Sequence, residues 1–333
     1  MNIRDKRSMV NEKSRRMRVK ENSSERSYSK RDPTMYSSND IIHTGPVDFD
    51  ERIAEHEGGI MAVASRDVVT IPPTTTIISA IRTMSENGFR HVPVTNAGTN
   101  RLEGMVTSVD IIDFLGGGSK NLLVENHYKG NLLAAVNASV KEIMQHDAAS
   151  IPENTDIDET IRQMLDNNSD GLPVVDDDGC VLAICTEKDF LKFAESVINT
   201  KRVAHYMSRK VKHATPDTSI GDVAKMMIDN GFRRVPVIRK GTILGMVTAS
   251  DIMHFLGSGD AFHRLMTGNV HEALDEPVVS LISKELVSTS IDAYMGSAAH
   301  VMLENNIGSL PVMDNDELAG IITERDFLKA ISE

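Results

Sequence analysis

The sequence predicts an α/β fold (α+β by some definitions) made of four copies of one βαββα unit. Two observations predict this fold. An amphipathic helical pattern occurs four times, each time shortly before a Pro-Val pair, and each pair begins two apolar segments separated by a polar turn. Helices that alternate with short strands are typical of α/β proteins, and regular repetition indicates that neighbouring copies share their cores.

The helix of each unit is indicated by apolar residues at fixed distances before the proline. The four prolines are Pro93, Pro173, Pro236 and Pro311. A methionine lies nine residues before each of them, and further apolar residues lie twelve and sixteen residues before. Spacings of three, four and seven residues place these side chains on one helical face, so we expect a helix of about three turns in every unit.

After each Pro-Val pair, the sequence is typical of a β-hairpin followed by a second helix. A proline can begin a strand because its missing N–H is not needed there. The second strands are predicted at residues 102–106, 181–185, 243–247 and 318–322. Each is followed by a threonine and, three residues later, by an aspartate; the pairs are Thr107 and Asp110, Thr186 and Asp189, Thr248 and Asp251, and Thr323 and Asp326.

The four units alternate in type. The first and third share Gly-Phe-Arg-x-Val-Pro-Val, whereas the second and fourth share Leu-Pro-Val and Thr-Glu-(Lys/Arg)-Asp-Phe-Leu-Lys. This alternation predicts that a pair of units was duplicated whole, which gives the two halves pseudo-twofold symmetry. The expected organisation is a disordered basic tail at 1–50, repeat 1 at 58–118, a linker at 119–136, repeat 2 at 137–197, repeat 3 at 201–258, a linker at 259–278 and repeat 4 at 279–333.

This pattern, with its Pro-Val pairs and its Gly-x-x-Thr-x-x-Asp segments, resembles the CBS (cystathionine β-synthase) domain over about residues 58–333. The resemblance implies that the domains pair into two Bateman modules. It is strongest to archaeal four-CBS proteins related to the γ subunit of AMP-activated protein kinase, whose clefts bind AMP, ADP or ATP. Two departures affect the even repeats: repeat 4 lacks the proline near its first strand, and Ala183 replaces a glycine.

The resemblance assigns ribose contacts to the four Thr-x-x-Asp motifs. An aspartate at a helix start can accept hydrogen bonds from the two ribose hydroxyls, and the helix N-terminus favours phosphate. The contacts implied are Asp110, Asp189, Asp251 and Asp326, with Thr107, Thr186, Thr248 and Thr323 beside them. The alternative is a capping box, with threonine as N-cap and aspartate at N3, which requires no ligand.

Basic residues beside the prolines are expected to contact phosphate. Arg90 and His91 precede Pro93, and Arg233 and Arg234 precede Pro236, where the kinase subunit carries phosphate-binding His-Arg pairs. The arginine fork suits phosphate oxygens. Two further candidates directly precede ribose aspartates, namely Lys188 and Arg325. For all of them the alternative is a solvated surface charge.

Adenine contacts are expected from the first strands, where family members bring backbone groups to the base. The residues implied are Thr70, Ile71, Ser150, Ile151, Ala214 and Thr215. The alternative is a plain strand edge. A glycine run before Lys120 suggests a phosphate loop, but it lacks the order Gly-x-x-x-x-Gly-Lys-(Ser/Thr) and follows a helix, so we interpret it as a helix cap and linker.

Charge and composition limit the partners. Residues 1–40 hold eleven Lys/Arg and six Asp/Glu, a net of +5, whereas the remaining 293 residues hold 25 and 42, a net of −17. An acidic body argues against nucleic-acid binding except through the tail. The apolar runs are too short for a membrane span, and no secretory signal is recognised, so a cytoplasmic location is expected.

These observations favour a regulatory module that binds and senses adenine nucleotides, with no metal, no cofactor and no catalysis of its own. No general base, metal-ligand motif or nucleophile motif is recognised in the sequence. An unidentified protein partner and a homodimer through CBS modules are further expectations. Two alternatives stay open: a sensor of S-adenosylmethionine, and a ligand-free structural adaptor whose basic tail contacts nucleic acid or an enzyme.

Overall fold

The computed structural model describes residues 59–116, 118–267, 270–282 and 286–333. The predicted basic tail at 1–50 lies outside the described residues. All described residues belong to one unit, Gly45–Glu333. Within it, every repeat begins with a short helical turn; these turns are Ile60–Ala62, Val140–Glu142, Val203–Tyr206 and Val278–Leu281.

The first long helix of each repeat lies where the apolar spacing predicts it. The four helices are Ile77–Asn87, Ile157–Asp166, Ile220–Asn230 and Met295–Glu304. In the odd repeats, Thr76 and Ser219 cap the helix by accepting a hydrogen bond from a backbone N–H of the first turn. The same two helices end at Gly88 and Gly231, both at a φ of 66°, a left-handed conformation that glycine adopts without steric cost.

Each helix is followed by an antiparallel hairpin. The hairpins pair His91–Thr95 with Leu102–Thr107, Gly171–Val175 with Val181–Thr186, Arg234–Arg239 with Thr242–Thr248, and Ser309–Asp314 with Glu317–Thr323. The first strand of every repeat is short and pairs in parallel with the first hairpin strand. Its partner is the same valine each time, the one that follows the proline; the pairs are Ile71 with Val94, Ile151 with Val174, Ala214 with Val237, and Thr289 with Val312.

The second helix starts directly after the hairpin. In the odd repeats it is Ser108–Leu115 and Ala249–Gly257, and in repeat 4 it is Glu324–Ser332. In repeat 2 a 3₁₀ turn, Glu187–Phe190, leads into Leu191–Val197. The long connections carry short helices of their own, at Leu123–His127 (a π turn), Leu132–Val136, Gly259–Thr267 and Val270–Leu274.

Helices pack between repeats of the same type. One apolar core joins repeats 1 and 3, with Phe114 and Leu256 fully or almost fully buried in it. A second core joins repeats 2 and 4 around Phe190 and Phe327. Burial of apolar side chains is the main stabilising contribution to folding, so these two cores hold the halves of the chain together.

Strands, by contrast, connect repeats of different type. Met105 of repeat 1 exchanges backbone hydrogen bonds with Gln145, just before repeat 2's first strand, at 3.0 and 2.8 Å. Ile321 of repeat 4 bonds Ser208 of repeat 3 in the same way. A Cβ on Gly104 would lie 2.5 Å from the carbonyl oxygen of Gln145, so this close crossing needs a glycine. The paired repeats 1–2 and 3–4 are therefore linked through their sheets.

Candidate ligand-binding site

A cavity of about 750 Å³ lies where all four repeats meet. A volume of this size is within the usual range of small-molecule sites. Its lining includes residues 67–69 and 88–91 of repeat 1, Thr186, Lys188 and Asp189 of repeat 2, Arg233, Arg234 and 248–251 of repeat 3, and Leu286, Val287 and 305–309 of repeat 4. Two of the four Thr-x-x-Asp motifs therefore open into one space.

All four Thr-x-x-Asp motifs form the capping box that the sequence allows. In repeat 3, the backbone N–H and the hydroxyl of Thr248 each donate to Oδ2 of Asp251 at 2.7 Å. The corresponding bonds in the other repeats are 2.6–2.9 Å long. The cap uses one carboxylate oxygen, Oδ2, and leaves the other, Oδ1, for a further donor. Capping and ligand contact are thus compatible at one aspartate.

The second carboxylate oxygen distinguishes the four motifs. Within the described residues, Oδ1 of Asp189 and of Asp251 has no hydrogen-bond or ion-pair partner, and both aspartates line the cavity. Oδ1 of Asp110 pairs with the ammonium of Lys120, and Oδ1 of Asp326 lies 3.3 Å from that of Lys329. Two motifs therefore present a free acceptor to the cavity, and two carry an internal cation.

The basic pairs of repeats 1 and 3 meet acidic residues of repeats 2 and 4. Glu324 accepts from Arg90 at 2.8 Å and from Arg234 at 3.0 Å. Glu187 accepts from Arg233 at 3.2 Å and from Arg325 at 3.1 Å. The two glutamate side chains are 0–1% exposed. The arginines predicted to contact phosphate are thus already engaged in buried ion pairs, which a phosphate group would have to share or replace.

A third acidic residue, Asp170, completes this cluster. Its Oδ1 lies 2.8 Å from Nε2 of His91, and its Oδ2 pairs with the guanidinium of Arg233. Burial, together with the neighbouring guanidinium groups of Arg90 and Arg233, lowers the pKa of His91 to about 3. The imidazole is therefore neutral at pH 7 and donates no positive charge to a ligand.

Burial also sets the charges of the glutamates. Burial raises the pKa of Glu187 to about 7, with the nearby carboxylate of Glu324 acting in the same direction. Burial acts to raise the pKa of Glu324 as well, but Arg90 and Arg234 outweigh it and hold that pKa below its usual value. Glu324 is therefore the fixed negative charge of the cluster, and Glu187 titrates near neutrality.

The two remaining phosphate candidates have different surroundings. Lys188 lines the cavity and donates its ammonium to Oδ1 of Asn306. Arg325 donates to the carbonyl oxygens of Met164 and Leu165, at the end of the first helix of repeat 2, as well as to Glu187. A cation at a helix C-terminus is stabilising by itself, so Arg325 has a structural role, whereas Lys188 has its charge at the cavity wall.

None of the six residues predicted to contact adenine is among those that line the cavity. Ile71, Ile151 and Ala214 are 0–6% exposed, and their side chains belong to the cores. The segments that reach the cavity lie slightly earlier in the chain or in repeat 4, at residues 67–69 and at Leu286 and Val287. A smaller cavity of about 260 Å³ is lined by Lys210, Lys212, Arg234 and Thr323, again just before a first strand.

Sequence reasoning missed the acidic half of the central cluster and the lysine at Asp110. One signal was available for the glutamates, since both occupy the same place in the shared Thr-Glu-(Lys/Arg)-Asp segment of the even repeats. In the described part of the chain, no group of three or more His, Cys, Asp or Glu side chains could hold a metal ion. Among the same residues, no helix has the length and apolar character of a membrane span.

Comparison with protein families gives the same four units. The CBS domain model matches residues 60–117, 140–196, 203–258 and 278–333. The chain belongs to the CBS domain family. This match confirms the resemblance and the α/β repeat fold predicted from the sequence. CBS domains are regulatory ligand-binding modules and are generally not catalytic, and this chain carries four of them.

Two relatives match about four fifths of this chain. Protein MJ1225 of Methanocaldococcus jannaschii is 40% identical over 273 residues, which cover 81% of this chain and 98% of that protein. Its crystal structure, described as that of a candidate archaeal homologue of γ-AMPK, matches with a TM-score of 0.77 over 81% of this chain and 99% of that chain, at 39% identity. A conserved Pyrococcus horikoshii protein shares the fold at a TM-score of 0.53 and 19% identity, over 82% of this chain and 99% of that one.

Proposed function

We propose that this CBS protein is a regulatory module that binds AMP, ADP or ATP and reports the bound state to a partner protein, without catalysis of its own. The observation that carries the proposal is the central cavity. It brings Asp189 and Asp251, whose Oδ1 atoms have no partner among the described residues, together with Lys188 and the arginine cluster. An adenosine with a phosphate chain needs both kinds of group, an acceptor for the ribose and cations for the phosphates.

The ribose is assigned to Asp189 and Asp251. Each aspartate is held by two donors from the preceding threonine and lines the cavity, and its Oδ1 has no partner among the described residues. A hydrogen bond from a neutral hydroxyl to a charged acceptor contributes roughly 1.5–3 kcal/mol. The capping box therefore serves as the support that fixes the direction of the acceptor.

The phosphates are assigned to Lys188, Arg90 and Arg234. The net charge of residues 41–333 is −17, so the general field of the chain repels an anionic ligand, and attraction must come from cations in contact. Lys188 is the one of these three whose ammonium has no acidic partner within the described residues. The ammonium of Lys188 can therefore pair directly with a phosphate, whereas the guanidinium groups of Arg90 and Arg234 are already paired with Glu324.

Calorimetric titration with adenosine, AMP, ATP and S-adenosylmethionine tests the proposal. Asp251→Ala is expected to weaken adenosine and ATP alike at its site, because both contain the ribose. Lys188→Ala is expected to weaken ATP about tenfold or more, corresponding to one lost charge-assisted hydrogen bond, and to leave adenosine unchanged. Lys141→Ala removes an exposed lysine that does not line the cavity and serves as the matched control.

The outcome also separates the alternatives. S-adenosylmethionine binding without ATP binding would contradict the phosphate assignment and favour the adenosyl sensor. No binding of any of the four compounds would favour the ligand-free adaptor. Hydrolysis of ATP by the purified chain, abolished by Asp251→Ala, would contradict the absence of catalysis.

A further inference from the structure

The Thr-x-x-Asp motif of repeat 1 has its carboxylate fully engaged within the chain. Oδ2 of Asp110 accepts from the N–H and hydroxyl of Thr107 at 2.7 and 2.6 Å. Oδ1 accepts from the ammonium of Lys120, and the amide of Gln145 donates to the two oxygens at 3.3 and 3.2 Å. The Asp110 side chain is 7% exposed, and neither of the two cavities described above includes it.

Lys120 is brought to Asp110 by a loop that folds back over its own helix. The backbone N–H of Lys120 donates to one oxygen of Asp113 at 2.9 Å, and the hydroxyl of Ser119 donates to the other at 3.1 Å. A Cβ on Gly118 would overlap the Asp113 carboxylate, so a larger residue there would displace the side chain that holds the loop. The segment before Lys120 is thus explained without phosphate binding, because its return over the helix places the Lys120 side chain beside Asp110.

The lysine has a second acceptor on repeat 2. Its ammonium also donates to the carbonyl oxygen of Ile143, in the segment that crosses repeat 1 just before Gln145. Two donors, the ammonium of Lys120 and the side-chain amide of Gln145 in repeat 2, therefore converge on Oδ1 of Asp110, where a ribose hydroxyl would bind. The Lys120 side chain is 25% exposed, so its charge is largely removed from water in this position.

Repeat 3 lacks this lysine. When the shared Thr-x-x-Asp-Ile-x-x-Phe-Leu-Gly segments are aligned, Ala261 stands where repeat 1 has Lys120. Oδ1 of Asp251 has no partner within the described residues, and Asp251 lines the central cavity. Asp326 also has a lysine beside it, Lys329, at 3.3 Å. The Lys329 side chain is 52% exposed, so water screens this ion pair and can take the place of the ammonium. Among the four motifs, only repeat 1 carries a largely buried internal cation.

We infer that Lys120 occupies the ribose position of repeat 1 and excludes nucleotides from it. Asp110 then forms a structural ion pair with Lys120, while Asp189 and Asp251 bind ligand. This inference rests on the proposed function. A neutral ribose hydroxyl that displaced Lys120 would leave a partly buried ammonium without its counter-charge, which costs more than the hydroxyl restores.

The test is the number of ATP molecules bound per full-length chain, measured by calorimetric titration. Lys120→Ala is expected to add one site to the wild-type number. Asp110→Ala in the wild-type background is expected to leave the number unchanged, and Asp110→Ala in the Lys120→Ala background is expected to remove the added site. Lys141→Ala, which removes an exposed lysine in the opening turn of repeat 2, is the matched control.

An unchanged number of sites in Lys120→Ala would overturn the inference while leaving the proposed function intact. Loss of one site in Asp110→Ala alone would overturn it too, because it would show that Asp110 already binds nucleotide. Binding of no nucleotide by either the wild type or Lys120→Ala would overturn the proposed function together with the inference. Should Lys120→Ala melt below the titration temperature, Lys120→Gln is expected to show the same added site with weaker binding, and its absence counts against the inference.

Discussion

Replacement of Arg234 by alanine is expected to destabilise the chain through the carboxylate that it leaves behind. Glu324 is 1% exposed and accepts from Arg234 at 3.0 Å and from Arg90 at 2.8 Å. Removal of one partner from a buried ion pair costs about 3–5 kcal/mol. Because Arg90 remains on Glu324, we expect the lower part of that range, about 3 kcal/mol, for Arg234→Ala.

Urea denaturation followed by circular dichroism measures this effect, since the chain has no tryptophan for fluorescence. The matched control is Arg162→Ala, which breaks a surface pair with Glu159 whose side chains are 65% and 40% exposed. Exposed pairs of this kind contribute about 0–1 kcal/mol. A loss in Arg234→Ala no larger than that in Arg162→Ala would refute the reasoning.

A second substitution identifies the cause of the loss. Glu324→Gln in the Arg234→Ala background removes the negative charge that has lost one of its two arginine partners, while keeping the shape of the side chain. We expect Glu324→Gln to cost less free energy of unfolding in this background than in the wild type, where it leaves two arginines without their partner, with a coupling of about 0.5–3 kcal/mol between the two positions. Strict additivity of the two changes would show that the arginine acts by packing and not by charge.

Three further outcomes are expected. Burial raises the pKa of Glu187 from 4.5 to about 7, so the folded chain holds one more proton than the unfolded chain between these pH values. The stability that this group contributes is therefore lost as pH rises through the window. In urea titrations, the free energy of unfolding of Glu187→Gln should increase relative to that of the wild type by about 3 kcal/mol between pH 4.5 and 7. The lowered pKa of His91 has the opposite effect on the pH dependence of stability, but it does so equally in the wild type and in Glu187→Gln, so it cancels in their difference. A difference in the free energy of unfolding that does not change with pH would contradict this prediction. Gly308→Ala should lower the free energy of unfolding by about 1–3 kcal/mol in the same assay, because its Cβ would lie 2.7 Å from Oε2 of Glu324. No loss would show that the Glu324 side chain can shift without breaking its ion pairs, which contradicts a tightly packed cluster. Removal of residues 1–50 should leave the melting temperature and ATP affinity unchanged, since this segment has no helical or strand periodicity; a large fall in either would show that it contributes to the folded unit.

The repeat unit could be predicted from local patterns because local physics determines it. The methionine nine residues before each proline lies on the buried face of a helix, as Met84 and Met302 do, at 0–1% exposure. The proline then stands inside a hairpin strand whose next valine pairs with the first strand in every repeat. Spacing along the chain fixes these contacts, so a single sequence suffices to find them.

The site was less predictable because it is made by contacts between repeats. The basic pairs at Arg90 and Arg233 are visible in the sequence, but their acidic partners come from repeats 4 and 2 and become neighbours only when the helices of like repeats pack. Lys120 lies ten residues after Asp110, and only the return of the glycine loop brings them together. The segments lining the cavity precede the expected adenine residues because the chain crosses the neighbouring repeat before the first strands begin: Ser65 exchanges backbone hydrogen bonds with Ile184, and Ile282 lies against Gly245.

The two kinds of contact in this fold have a consequence for how the chain can be divided. Sheets join repeats 1–2 and 3–4, while the apolar cores join 1 with 3 and 2 with 4. Each half alone would carry two uncovered apolar helical faces, and two separate halves would have to find each other in solution. The short connection around residues 198–202 replaces that encounter by an intramolecular one, at an effective concentration of order millimolar. It also frees the halves from the requirement of identity that a symmetric pair of chains would impose, which is how one half can carry Lys120 and the other Ala261 at the same place.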